Sequence, residues 1–136
     1  TDEAFRLRCD ADGNHVTYKG PLVDDQTKTR REIDIPLAPG DETARQFAEM
    51  AHALGFREFR SVIKSRVPYR LSWEGHPVEI VIDDVAGLGR FVEIERLVDE
   101  SRFAEARDSV LRLAERLGLH GSERRSYLQL LNDRQA

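Results

Sequence analysis

Arg6-x-Arg8 and Lys64-x-Arg66 set two cations at alternate positions, and Glu93-x-Glu95 does the same with two carboxylates. Glu79 and Asp83 stand four apart, and Arg30-x-Glu32-x-Asp34 mixes the signs. Arginine and lysine suit phosphate oxygens, arginine through a bidentate fork and lysine as a point charge. Arg6, Arg8, Lys19, Arg30, Lys64 and Arg66 are therefore candidates to surround a polyphosphate. Carboxylates without histidine or cysteine partners select hard cations such as Mg²⁺ or Mn²⁺. Glu93, Glu95, Asp83 and Glu79 are the candidates for that role, with Glu32 and Asp34 behind them. Metal and cations around a triphosphate make a set for electrostatic catalysis at phosphorus.

The spacing matters because the surrounding segments read as β-strands. Alternate side chains of a strand point to opposite faces, so the charges share one face while Phe5, Leu7, Ile33, Ile35, Ile80, Ile82 and Ile94 share the other. Like charges two apart lie about 6.8 Å from each other, which at an effective dielectric of about 20 costs about 2 kcal/mol per pair. Holding a highly charged ligand is one use for such pairs. A solvated face whose opposite charges pair across strands is the other reading.

The chain of 136 residues is long enough for one domain with a core and short for two. At 40% hydrophobic and 34% charged it belongs with soluble globular proteins. Its net charge of −4 gives no reason to expect nucleic acid as a partner. Cys9 is the only cysteine, which excludes an internal disulfide and points to a cytoplasmic home. By alternation with Leu7 it is expected to be a core thiol. No apolar run approaches a membrane span, so no membrane partner is expected. The chain opens Thr-Asp-Glu and its one methionine is Met50, so Thr1 is not expected to be the natural start.

Residues 4–10 and 15–19 read as a hairpin about Asp12-Gly13-Asn14, with Gly20-Pro21 ending the second strand. A third strand is expected from Lys28 to Leu37, stopping at Pro36–Pro39. Asp41 is expected to cap a helix to Leu54, with Ala44, Phe47, Ala48 and Ala51 on its apolar stripe and Gly55 as the stop. Strand character returns at Phe59–Arg66 and Tyr69–Trp73, with Pro68 predicting a bulge or a change of strand. After a turn at 74–77, Val78–Asp83 and Arg90–Glu95 form a hairpin about Ala86-Gly87-Leu88-Gly89. Helical periodicity runs from Ser101 to Leu117, and a short final helix is expected around Tyr127, Leu128, Leu130 and Leu131, capped by Ser122. The four histidines, 15, 52, 76 and 120, read as ordinary surface or turn residues. These elements predict an α+β fold in which helices cover the apolar face of an antiparallel sheet. The ionic face then lines a water-filled β-barrel or tunnel.

FRLR, VTYKGP (16–21), TRREIDIPL (29–37), Leu54-Gly55-Phe56, VIKSR (62–66) and IDDVAGLGRFVEIE (82–95) occur in an order and at separations that resemble the CYTH domain. That family shares a triphosphate-tunnel fold among class IV adenylyl cyclases and thiamine or inorganic triphosphatases. The resemblance begins at Thr1-Asp2-Glu3-Ala4 and implies a single domain over 1–136. The ending, Leu117-Gly118-Leu119 and then Arg125-Ser126-Tyr127-Leu128, looks most like the cyclase branch. By motif, Arg6 and Arg8 match the family's R-x-R, and Lys19 its T-Y-K-G-P lysine. Arg30, Glu32 and Asp34 match R-x-E-x-E, with Asp34 in place of the last glutamate. Lys64 and Arg66 match K-x-R, and Asp83, Glu93 and Glu95 match the D-D-V and E-x-E segments. The family's opening E-x-E-x-K strand has no counterpart in this sequence.

The resemblance implies a Mg²⁺- or Mn²⁺-dependent enzyme acting on a nucleoside triphosphate or other triphosphate. Lys19, Lys64 and Arg66 are the residues assigned to catalysis, and Asp83, Glu93, Glu95, Glu32 and Asp34 those assigned to the metal. The favoured activity is conversion of ATP to cyclic AMP and pyrophosphate. The alternatives are hydrolysis of a triphosphate and, because of the unmatched strand, non-catalytic binding. Family members are often dimers, so a homodimer is expected.

Overall fold

The computed structural model describes residues 2–135. Thr1, the first residue of the matching stretch, and Ala136 lie outside them. The chain divides into two compact units, Thr1–Phe59 and Arg60–Ala136.

In the first unit β1 (Ala4–Asp10), β2 (Gly13–Leu22) and β3 (Arg30–Leu37) form an antiparallel sheet in that order. Ala11 and Asp12 make the first turn, and the Asp12 N–H donates to Asp10 Oδ1 (2.9 Å). Strand β2 does not end at Gly20-Pro21: it continues to Leu22 through an irregularity between Lys19 and Leu22. Strand β3 likewise runs through Pro36 to Leu37. It lies at the sheet edge, where a missing N–H can face away from the ladder.

Helix α1 (Asp41–Ala53) follows. Asp41 is its first residue rather than its cap: Gly40 holds the cap position, with φ 102°, and no side chain caps the helix. The buried Asn14 Nδ2 donates to the Ala38 and Gly40 carbonyls (3.0 and 2.8 Å), tying the approach to the helix back to β2. Phe5 packs against Phe47 and Phe56, with centroids 5.9 and 5.1 Å away. The helix nevertheless buries none of its residues, and Ile33 and Ile35 stay exposed on β3. Cys9 is exposed as well, so the alternation that fixes its face does not bury it.

In the second unit β4 (Lys64–Trp73), β5 (His76–Val85) and β6 (Gly89–Glu95) form another antiparallel sheet. The predicted break at Pro68 is absent. One strand runs through it, with Pro68 opposite Val81, because β4 is an edge strand and can spare the N–H. Residues 59–63, expected as strand, are not. Glu74 and Gly75, at φ 51° and 77°, make the two-residue turn between β4 and β5, a left-handed pair that matches the twist of a hairpin.

A 3-10 turn (Glu100–Arg102) leads into α2 (Phe103–Arg116), whose Ala106, Ser109 and Leu113 are buried. Leu113 packs with Val78 and Ile80, flanked by Leu71, Trp73 and Ile94. All five strand residues lie on the face opposite Asp83, so α2 covers the apolar face as expected. The Trp73 Nε1–H donates to the Ser109 carbonyl (3.1 Å) across that contact.

Helix α3 (Tyr127–Gln135) starts one residue after Ser126. Ser126 Oγ accepts from the Gln129 N–H (3.2 Å) and Gln129 Oε1 accepts from the Ser126 N–H (2.7 Å), a reciprocal capping box. Ser126, not Ser122, therefore starts the helix. No helix among the described residues is long and apolar enough to cross a membrane.

Candidate phosphate and metal site

Each sheet has the ionic face that alternation predicts. In the first unit the cross-strand rows are Arg6–Thr17–Asp34, Arg8–His15–Pro36 and Lys19–Glu32. Lys19 Nζ lies 3.0 Å from Glu32 Oε1. Thr17, almost wholly buried, donates to Asp34 Oδ1 (2.5 Å), and His15 Nδ1 lies 2.9 Å from Asp34 Oδ2. The hydrogen bond from Thr17, against some desolvation, and then His15 hold the Asp34 carboxyl below its usual range. Arg30 Nη1 donates to the Asp2 carbonyl (2.9 Å). His15, read from sequence as an ordinary histidine, thus stands on the charged face.

In the second unit Lys64, Arg66, Asp83, Glu93, Glu95 and Glu79 share a face because their positions have the same parity in the register. Asp83 is fully buried, at 0% exposure. Arg66 grips it side-on, Nε to Oδ1 and Nη2 to Oδ2, both at 2.7 Å. Lys64 Nζ donates to Oδ2 at 3.2 Å and Tyr127 Oη donates to the same oxygen at 2.8 Å. Arg66 Nη2 also reaches Glu93 Oε2 (3.3 Å).

Burial opposes the Asp83 charge, but hydrogen bonds from Arg66 and Tyr127 and the charges of Lys64 and Arg66 outweigh it, bringing the carboxyl down to about 2. Lys64 is lowered from the usual lysine value, by desolvation first and then by repulsion from Arg66. Burial, the Glu93 charge and the bond to Asp83 push the Tyr127 hydroxyl up, so it remains a donor.

Tyr127 is the residue of this cluster that sequence reading missed. Its pattern marked a helix and the ending of the matching stretch but no role in the site, yet α3 sets its ring against Phe91 (5.0 Å between centroids) and 5.2 Å from Lys64 Nζ. The contact lies on the ionic face, so here a helix covers part of that face too. Tyr127→Phe keeps the ring but removes one hydrogen bond to a buried charge. The expected loss is about 1.5–3 kcal/mol of stability in urea unfolding. An unchanged midpoint would contradict the bond.

Cross-strand pairing therefore absorbs much of the like-charge repulsion along each strand: Lys19 with Glu32, Arg70 with Glu79, and Lys64 and Arg66 with Asp83. The same pairing engages several of the carboxylates expected to hold metal. No group of three or more His, Cys, Asp or Glu among the described residues is placed to hold a metal ion. Both Asp83 oxygens are engaged by cations and the tyrosine, Asp34 by Thr17 and His15, and Glu32 by Lys19. Glu93 and Glu95 stand two apart on one face, and two carboxylates are enough where phosphate oxygens and water complete the shell of Mg²⁺.

Antiparallel sheets with a paired ionic face, backed by a few helices, define an α+β protein built to hold charge on a sheet. The CYTH domain model matches residues 1–127, and the chain belongs to that family. It is 36% identical over 134 residues to "Putative adenylate cyclase MJ0240" of Methanocaldococcus jannaschii, covering 96% of this chain and 71% of that protein. Two solved structures are similar. The PH1819 protein of Pyrococcus horikoshii has TM-score 0.86 and 38% identity, covering 98% of this chain and 75% of the other. A conserved hypothetical protein of Pyrococcus furiosus has TM-score 0.79 and 26% identity, covering 95% and 75%.

Proposed function

We propose that this chain serves a divalent-metal-dependent adenylyl cyclase, with the Lys64–Arg66–Asp83 cluster gripping the triphosphate of ATP. The observation that carries the reading is the convergence of two cations on one buried carboxylate while their own side chains stay 22% and 24% exposed. Asp83 fixes both in place, so little side-chain entropy is lost when a phosphate oxygen arrives, and donors held ready are the most effective for charge developing at phosphorus. Tyr127 positions Asp83 from α3. Glu93 and Glu95 would hold Mg²⁺ or Mn²⁺, which when bound supplies charge neutralisation and acidifies the attacking ribose hydroxyl. The cations of the first unit, Arg6, Arg8, Lys19 and Arg30, enter through the family resemblance alone. The likeness to the Methanocaldococcus protein named as an adenylate cyclase favours cyclisation over hydrolysis.

The deciding experiment incubates the protein with ATP and Mg²⁺ or Mn²⁺ and scores cyclic AMP, pyrophosphate and orthophosphate separately. Cyclic AMP with equimolar pyrophosphate is expected. Orthophosphate without cyclic AMP would replace the proposal with a triphosphatase, and tight binding without turnover would replace it with a binding module.

Because Lys64 is desolvated and stands beside Arg66, it gives up its proton below the ordinary value of 10.5. Triphosphate affinity is therefore expected to fall with rising pH before the ordinary lysine value is reached, earlier than an exposed lysine would allow. Lys64→Arg, which stays charged, should move that loss to higher pH in a calorimetric titration; an unchanged profile would remove Lys64 from the binding set.

A further inference from the structure

The charged face of the second sheet has two unlike ends. At one end the row Arg66–Asp83–Phe91 is closed over: Asp83, Val85 and Tyr127 are buried, and the Tyr127 ring lies against Phe91. Arg134 of α3 donates from Nη1 to the Gly87 carbonyl (2.6 Å) in the turn between β5 and β6, which holds the helix at that end. Toward the other end the exposure rises. In the row Arg70–Glu79–Glu95 the outer two residues are exposed. The next row carries no charge: Ser72 stands opposite Pro77, and both are exposed.

Leu97 extends that uncharged row. It lies two residues beyond Glu95, past the end of β6, and is 99% exposed. Its neighbour Arg96 turns the other way, toward α2, with Nη2 3.7 Å from Glu105 Oε1. Successive side chains of an extended segment point to opposite sides, so Leu97 is on the side of Glu93 and Glu95. Rows two residues apart stand about 6.8 Å from each other, which puts Leu97 about 20 Å from the Arg66 row. That distance is the reach of an extended nucleoside triphosphate. With its last phosphate on Arg66, the α-phosphate and ribose come to Glu93 and Glu95, and the base comes to Ser72, Pro77 and Leu97. The opposite direction would drive the base against Tyr127 and α3, where the face is covered.

We propose that Pro77 and Leu97 seat the purine base of the nucleotide at the open end of this face. The inference rests on the triphosphate reading above and gives the bound nucleotide a direction. The two apolar side chains cover a ring face while Ser72 offers a hydroxyl to the ring's polar edge, the usual division of labour in a small-molecule site. It also accounts for the charges stopping one row short of the end: phosphates need the cations, and a neutral purine does not.

The test compares two ligands by ¹H–¹⁵N NMR on the full chain with Mg²⁺: inorganic tripolyphosphate, and 3′-deoxy-ATP, which lacks the attacking hydroxyl. Both are expected to shift the amides of residues 64–66 and 91–95. Only the nucleotide should shift those of 72–78 and 96–98. Leu97→Ala, at a fully exposed position, should weaken the nucleotide by about threefold to tenfold in calorimetric titration and leave tripolyphosphate unchanged, the scale of a partly buried leucine. Nucleotide-specific shifts confined to 86–89 and 127–135 would reverse the direction and overturn the inference. So would a Leu97→Ala variant that binds the nucleotide as the parent does. Either result leaves the triphosphate site standing. That site fails separately, and the base seat with it, if neither ligand moves residues 64–66 of the parent.

Discussion

Replacing Asp83 with alanine is expected to destabilise the protein by about 3–5 kcal/mol, the largest effect of any single substitution in the site. The reason is asymmetric. Asp83 is fully buried and accepts from Lys64, Arg66 and Tyr127 at once, so its removal leaves two desolvated cations facing each other. That cost exceeds the net worth of any one bond, because three hydrogen bonds to Asp83 are lost from the cations at once and Arg66 keeps the longer 3.3 Å contact to Glu93. Chemical denaturation measures it, and a loss below about 1 kcal/mol, the scale of an exposed pair, would show that the cluster is solvated rather than buried. The same carboxylate dictates the acid limb. Its folded-state value is depressed from 3.8 to about 2, so its contribution is fully present above 3.8. It is lost as pH falls through about 2.

The second large effect separates binding from folding. Arg66→Ala alone should weaken triphosphate binding and also destabilise the fold, since it strands the buried Asp83 carboxylate. In the double variant Arg66→Ala/Asp83→Asn the buried charge is gone. Stability should recover by at least about 1–2 kcal/mol relative to the single variant, because an amide costs less to bury than an unpaired ion. Affinity for ATP should stay about 10- to 100-fold below the parent, the value of one charged hydrogen bond at about 1.5–3 kcal/mol. Calorimetric titration and urea unfolding on the same samples decide it. Recovery of affinity along with stability would mean that Arg66 serves only the fold.

That pair of results bears on how function can be read from charge patterns. Lys64 and Arg66 with an acidic pair downstream were legible because residues two apart on a strand must share a face. What each charge is bonded to was not. Asp83 looks like one more metal carboxylate in the motif, and only the register that sets it opposite Arg66 makes it the anchor of the cations. Tyr127 lies 44 positions from Asp83 along the chain, and no local pattern could join them.

The same division runs through the fold. Alternation, turn residues and helical period placed the strands and helices of the described residues, apart from the stretch 59–73, because those signals are local. Pro68 misled because its effect depends on whether its strand is an edge, which is a property of the sheet. Cys9, Ile33 and Ile35 misled because alternation assigns a face and not what covers it. The sequence by itself determined which charges share a face and the family to which the motifs belong. The tertiary structure decided which of those charges neutralise one another and which side chains are desolvated. Both depend on distance and solvent exclusion between segments that the chain alone does not bring together.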